Sequence, residues 1–227
     1  TCALPIFSQY AYCPVRFERK APVPEGYTFA VGMSGVVAEK TGSAMAKYNR
    51  ASQLAGSAAE AWRRASGSQA PNLADAVAES GGSPDPIRSA LAGAGRGDFT
   101  SEELTDRFNQ FYAENYEIVP AAGDALAAGD LTTFGRLVDR SQVLTTDVLR
   151  NQVPETVHLA RSARSLGAAA ASAFGAGFGG SVWALVRAAE SADFVAQWAG
   201  DYRAHFPEAS QRADIFCTAA GPGAFVL

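Results

Sequence analysis

Histidine, cysteine and long apolar runs are what this 227-residue sequence has least of. Its 2 histidines, His158 and His205, exclude a His-rich metal site and leave few candidates for a Ser/His/Asp triad. His158 falls in an apolar helical run and His205 follows an Arg near a helix end, so both read as structural residues. The 3 cysteines, Cys2, Cys13 and Cys217, are scattered without a CxxC pair and indicate neither a zinc site nor a disulfide framework. Lys and Arg number 19 against 23 Asp and Glu, a net charge of -4. Without a basic excess, a nucleic-acid partner held through its phosphates is not expected. No apolar run reaches the roughly eighteen residues of a spanning helix, and no charged start followed by an apolar stretch resembles a signal peptide. The expectation is a soluble, cytoplasmic protein without a membrane partner.

What is present fits a globular chain: 48% apolar and 19% charged residues, at a length suited to one large domain or one domain plus a fragment. Thr1 to Ile6 reads TCALPI, which resembles the translation of a common sequencing-adapter end. Residues 1–7 are therefore expected to be an artefact at the edge of a truncated gene. Ser8 to Val23 alternates bulky and charged residues and reads as one or two strands, and Tyr27–Val31 as a third strand that ends at Gly32 and delivers Ser34 at its exit. Met45, Tyr48, Ala51, Leu54, Ala58 and Trp62 form one stripe of a helix over 42–64, and 66–98 reads as a connector of short helical pieces. Thr100 and Glu103 have capping-box spacing, and Pro120 should end or kink the helix they start near Val119. Helices follow around Leu126 and over 131–149 and 154–166. A strand over 181–186, a helix from Ser191 carrying Phe194, Val195, Trp198 and Tyr202, and a strand over 213–219 complete the chain. Strand, helix and strand around a Gly-rich turn indicate an α+β fold.

The most informative segment is SAFGAGFGGSVWALV, residues 172–186, with Gly175, Gly177, Gly179 and Gly180 inside six positions. Glycine tolerates positive φ and close backbone approach, so successive amides there can converge on an anion. A tight helix-to-strand turn is the competing reading. Gly175, Gly177 and Gly180 satisfy GxGxxG formally, but a dinucleotide fold needs a strand before the loop and a helix after it. Here an Ala-rich stretch that reads as helical precedes and a strand follows, and no GxxxxGK sequence supports a Walker loop.

These residues resemble the third motif of the sugar and metabolite kinases known by the initials GHMP, and galactokinases in particular, in which GAGFGG leads into a strand. The resemblance runs in order over residues 8–227. RFNQFYAENYEIV, with Arg107, Glu114 and Asn115, is similar to a family helix; LAAGDLTTFGRLVDRSQ resembles its GD…FG…SH stretch, VPETVHLAR its PE-containing helix, and Tyr48-Asn49-Arg50 its YNxRR segment. There are departures. Ser172 and Phe174 stand where the family has a basic residue and then Thr or Ser, Gln110 and Gln142 replace histidines, and Glu117 replaces an arginine. No cysteine follows the YNR segment.

The resemblance implies a two-domain kinase using ATP and Mg²⁺, with residues 8–26 as remnant strands of the N-terminal domain and 27–227 as a ferredoxin-like C-terminal domain. In that arrangement Gly175, Ala176, Gly177, Phe178, Gly179 and Gly180 support the nucleotide-phosphate loop of the other half. The family's PxxxGLSSSA loop and catalytic Asp find no counterpart here, so no catalytic residue and no metal ligand is assigned within this chain, and it is expected to be inactive by itself. Tyr48 resembles the tyrosine that lines the sugar pocket, against ordinary core packing. Ser34 is a second sugar-contact candidate, against a serine that caps its own backbone. The implied activity is a sugar 1-kinase acting on galactose or a relative, monomeric when complete. A non-catalytic sugar sensor of the same fold, and a GHMP kinase for another small alcohol, are the alternatives.

Overall fold

The computed structural model describes residues 6–12, 14–38, 43–95 and 98–219. Two compact units share the chain: one combines residues up to 39 with 118–146 and 151 onward, the other holds 40–117 and 147–150.

The first unit is built on an antiparallel four-stranded sheet. Its strands are β3 (Tyr27–Met33), β4 (Ala170–Phe174), β5 (Ser181–Arg187) and β6 (Asp214–Thr218), in spatial order β4-β5-β3-β6. Helix α7 (Pro154–Ser165) precedes β4, and α8 (Ser191–His205) connects β5 to β6. This is the βαββαβ order of a ferredoxin-like fold, as the resemblance implies. Strand alternation sorts the side chains. Ala30, Val182, Ala184 and Val186 point to a core closed by Leu159 and Ala163 of α7 and by Phe194, Trp198 and Tyr202 of α8. Ala170, Leu185, Phe29 and Trp183 point the other way, against Leu126 of α5 (Val119–Ala128) and Phe134 and Val138 of α6 (Leu131–Leu144). The expected α8 stripe is therefore the buried one, except Val195, which is only partly buried.

Strands β1 (Ile6–Tyr12) and β2 (Val15–Pro22) form a separate antiparallel hairpin. Ile6 pairs with Pro22 and Phe7 with Ala21, and the Phe7 ring meets Phe29 edge-on at 5.7 Å. Ile6 and Phe7 thus take part in the fold, whereas residues 1–5 of the expected artefact lie outside the described residues. Arg19 of β2 ties the hairpin to α5, donating to the carboxylate of Asp124 and the carbonyl of Pro120.

One expectation is corrected. The Ala-rich stretch before the glycines is not helical: α7 ends at Ser165, and residues 170–174 are strand β4. The cause is local. Gly167 adopts φ +98°, its N–H donates to the carbonyl of Arg164 at 3.1 Å, and the N–H of Ala168 reaches back to Ala163 at 3.0 Å. This pair of bonds is a Schellman motif, which satisfies the last free carbonyls and turns the chain out of the helix. Ala168, Ala170 and Ala171 beyond it are buried between two layers, where short side chains let β4 approach α6 and α7. Pairing with β5 overrides their helix propensity.

The second unit is helical: α1 (Ser43–Ser66), α2 (Leu73–Glu79), α3 (Asp85–Ala92) and α4 (Ser101–Tyr112). Ala58, Ala59, Trp62, Leu73, Val77, Ile87, Leu91, Leu104 and Phe108 form its core. The capping box predicted for α4 is complete, with the Glu103 amide donating to Thr100 Oγ1 at 3.1 Å and the Thr100 amide to Glu103 Oε2 at 3.0 Å. Those bonds hold the Glu103 carboxyl below its ordinary range, helped by Arg50. After α4 the helix widens into a π-helical turn over Ala113–Ile118, and α5 starts at Val119 with Pro120 in its first turn. Proline lacks the amide that would continue the ladder, and the distortion sits where the sequence places it.

Candidate functional site: the glycine hairpin

Residues 175–180 are the turn of the β4–β5 hairpin, which closes at the Phe174–Ser181 pair. All four glycines have positive φ, from 86° to 126°, and Phe178 joins them at 59°. Positive φ at a phenylalanine is costly, so the turn must be held by its surroundings. Two neighbouring segments hold it. On one side, the Phe178 amide donates to the main-chain carbonyl of Asn151 at 2.5 Å, while Asn151 Nδ2 donates to the Ala176 carbonyl at 3.3 Å. On the other, the strand exit after β3 pairs with Gly180: the Ser34 amide donates to Gly180 and the Gly180 amide to Val36, each at 2.9 Å.

These contacts separate the glycines into two pairs. A Cβ on Gly177 would lie 2.1 Å from the Asn151 carbonyl oxygen, and one on Gly179 would lie 2.6 Å from that of Val36. Both residues are buried. A Cβ on Gly175 or Gly180 would meet nothing within 4 Å. Phe174, Gly175 and Ala176 are exposed and form the outer rim of the turn. The close backbone approach expected of the loop is therefore real, but at Gly177 and Gly179 it is made to the protein's own chain. Among the described residues, the amides of Gly175 and Ala176 have no protein acceptor. A turn offering exposed amides and no carboxylate suits phosphate oxygens or a neighbouring backbone. It does not suit a divalent cation, so Mg²⁺ would have to be held by groups outside the loop.

Two departures from the family pattern turn out to be partners. Gln142, near the end of α6, accepts both the Ser172 hydroxyl and the Ala173 amide at 2.9 Å with its Oε1. It thereby fastens the strand that leads into the glycines. Another, Gln110, lies in the helical unit, is buried and accepts Arg107 Nη1 at 2.7 Å. Burial lowers the Arg107 pKa from its ordinary value.

Ser34 is fully buried. Its hydroxyl accepts the Val36 amide at 3.2 Å, the local capping role, and its carbonyl accepts the Tyr202 hydroxyl at 2.6 Å. Burial raises the Tyr202 pKa to about 12, with Glu155 adding to the rise. The structure brings Ser34 to the glycine turn through the backbone. Tyr48 lies in α1, and its side chain is outside the described residues. Arg50, two residues on, pairs with Glu103 and stacks over Phe99 at 5.0 Å. Asn115 Nδ2 donates to the Phe111 carbonyl at 2.8 Å, within its own helix. Asn151 under the turn escapes sequence reading, since nothing in RNQV marks it as the residue against which Gly177 packs. His158 and His205, expected to be unremarkable, lie together beside Asp201.

Comparison with known proteins places this fold. A family profile described as GHMP kinases C terminal matches residues 124–204, so the chain carries a GHMP kinase C-terminal domain. No curated protein matches. Among solved structures, a Lactococcus lactis galactokinase complexed with galactose matches at TM-score 0.76 and 24% identity, covering 99% of this chain and 53% of that one. An L. major mevalonate kinase in complex with R-mevalonate matches at TM-score 0.52 and 15% identity, covering 97% and 50%. The chain spans about half the length of the structures it matches. Among the described residues no helix is long and apolar enough to cross a membrane.

Proposed function

We propose that this chain, with its GHMP kinase C-terminal domain over 124–204, is the C-terminal part of a galactokinase-like sugar 1-kinase. It would serve transfer of the γ-phosphate of ATP to galactose or a close relative. The observation that carries the reading is the division of the glycine turn. Gly177 and Gly179 are locked against the chain's own backbone, and that lock presents the exposed Gly175–Ala176 rim outward. In a kinase of this kind the rim would pack against the loop that cradles the nucleotide phosphates, with positioning and electrostatics as its contribution to phosphoryl transfer. Beside the rim lies an apolar concavity of about 300 Å3 lined by Phe7, Phe29, Val31, Phe174, Trp183 and Thr218, a surface suited to being covered by another part of such an enzyme. Tyr48 is the proposed sugar contact; Ser34, fully buried with its hydroxyl accepting the Val36 amide, serves the turn instead.

The test is an ATP- and Mg²⁺-dependent transfer assay on a larger protein that contains this chain, with galactose, arabinose, mevalonate and homoserine as acceptors. Galactose or a near relative is expected to be phosphorylated fastest, with the 227-residue chain alone inactive. In the larger protein, Tyr48→Phe should lower kcat/KM for the sugar several-fold, the cost of one hydrogen bond, and leave KM for ATP unchanged. Preference for mevalonate or homoserine would move the substrate elsewhere in the family. Sugar binding without transfer would favour a sensor.

A further inference from the structure

Away from the glycine turn, α7 and α8 bring together three side chains that no part of the kinase reading uses. His158 projects from α7, and Asp201 and His205 stand four residues apart on one face of α8. His158 Nε2 lies 2.7 Å from Asp201 Oδ2, and His205 Nδ1 lies 3.5 Å from Asp201 Oδ1. The two imidazole rings are 4.3 Å apart, and one donor atom from each of the three residues falls within 4.8 Å of the other two. We propose that His158, Asp201 and His205 form a binding site for a divalent transition-metal ion, with Zn²⁺ the ion the donor set suits.

The chemistry of the donors selects the ion. Two imidazoles and one carboxylate match the ligands of Zn²⁺ and its neighbours in the first row, whereas Mg²⁺ and Ca²⁺ require oxygen throughout. The tautomers are constrained by their partners. His205 Nδ1 is 2.9 Å from the Asp201 main-chain carbonyl. A carbonyl only accepts, so Nδ1 carries the proton and Nε2 the lone pair; a backbone carbonyl orienting the ring in this way is a common outer-shell device at metal sites. On His158 the proton lies on Nε2, shared with the Asp201 carboxylate. An entering ion takes the place of that proton on Nε2 while solvent supplies one to Nδ1 as Arg161 turns away, so the imidazole stays neutral, and the short His158–Asp201 contact opens by side-chain rotation to admit the ion.

His158 is buried and Asp201 and His205 are progressively more open, so the cluster has a fixed inner ligand and an accessible outer one. His205 also lines a cavity of about 340 Å3 with Glu155, Glu208 and Arg212, which leaves room for water to complete a tetrahedral shell. Two cations oppose the ion. Arg161 Nη2 lies 3.5 Å from His158 Nδ1, but Arg161 is exposed and can turn toward water. Arg212 lies across the cavity and donates to the Gly35 carbonyl at 3.2 Å.

The test uses the 227-residue chain without an affinity tag. Calorimetric titration with ZnCl₂ alone should show one ion bound per chain, and thermal unfolding should shift upward with Zn²⁺ and not with Mg²⁺. His205→Ala removes an exposed side chain at little cost to folding and should weaken binding at least tenfold; Asp201→Asn should do the same. Titration of the wild-type chain with Co²⁺ gives a reading independent of any variant, because imidazole and carboxylate ligation in a tetrahedral shell produces visible absorption. No uptake of Zn²⁺, an unaltered Co²⁺ spectrum, or equal Zn²⁺ affinity in His205→Ala would each overturn the site.

Discussion

The glycine turn and the four-helix unit are held together by opposite means. At the turn, main-chain groups do the binding: Phe178 to Asn151, Ser34 to Gly180 and Gly180 to Val36, with space for no side chain at Gly177 or Gly179. In the helical unit side chains carry the structure. Phe108 and Leu91 are completely buried, Arg88 Nε reaches Asn109 at 2.8 Å, and the Tyr112 hydroxyl donates to the Gly82 carbonyl at 3.0 Å. One region should therefore break when atoms are added, the other when atoms are removed.

The largest effect is expected in the helical unit. Phe108→Ala would empty a completely buried ring site and should cost about 3 to 5 kcal/mol, read by denaturant unfolding. At the turn, Gly177→Val should cost about 2 to 4 kcal/mol by combining strain at φ +88° with a collision against Asn151. Loss of stability, rather than a selective loss of activity, is the outcome this packing requires. A Gly177→Val protein as stable as the wild type would remove the distinction between the two regions.

Sequence alone exposes these regions unequally, and the reason is range. The Thr100–Glu103 cap spans four residues, so its chemistry is written in adjacent letters, and the Pro120 distortion is equally local. The glycine cluster announces a turn for the same reason. Its neighbours do not appear there: Asn151 and Val36 reach it only through the sheet. The strand before the glycines is hidden because alanine favours helix until pairing with β5 competes, although Gly167 after Leu166 is the stop signal that marks the end of α7. His158 and Asp201 are 43 residues apart, and their meeting depends on how α7 and α8 lie on one sheet. The fold class is thus readable from motif order, whereas the side-chain cluster and the inner packing of the loop require the tertiary structure.

A smaller effect joins side chain to main chain at the site's edge. Tyr202→Phe would leave the buried Ser34 carbonyl without its donor, at a cost of about 1 to 3 kcal/mol. The same hydroxyl predicts an alkaline signature. Folding raises its pKa from 10.0 to about 12, so the folded state favours the protonated phenol. That contribution is complete below pH 10, declines as pH rises and is lost above about 12. Unfolding free energy measured across this interval should fall in the wild type, and Tyr202→Phe should lack this component of the fall. Identical slopes would show that the phenol is not the group responsible.

The most direct test of the glycine-rim account is Gly175→Ala in the larger protein that the proposed function requires. A Cβ there meets nothing within 4 Å of the chain, so the cost to folding is the strain of φ +88° alone, about 1 to 2 kcal/mol. Steady-state kinetics and thermal unfolding of the same preparation are the measurement. The account predicts a melting temperature within several degrees of wild type together with at least a tenfold fall in kcat for sugar phosphorylation, because the added methyl group would stand on the rim proposed to face the phosphate loop. Unchanged turnover in a folded Gly175→Ala enzyme would contradict it and leave the glycine hairpin as scaffold alone.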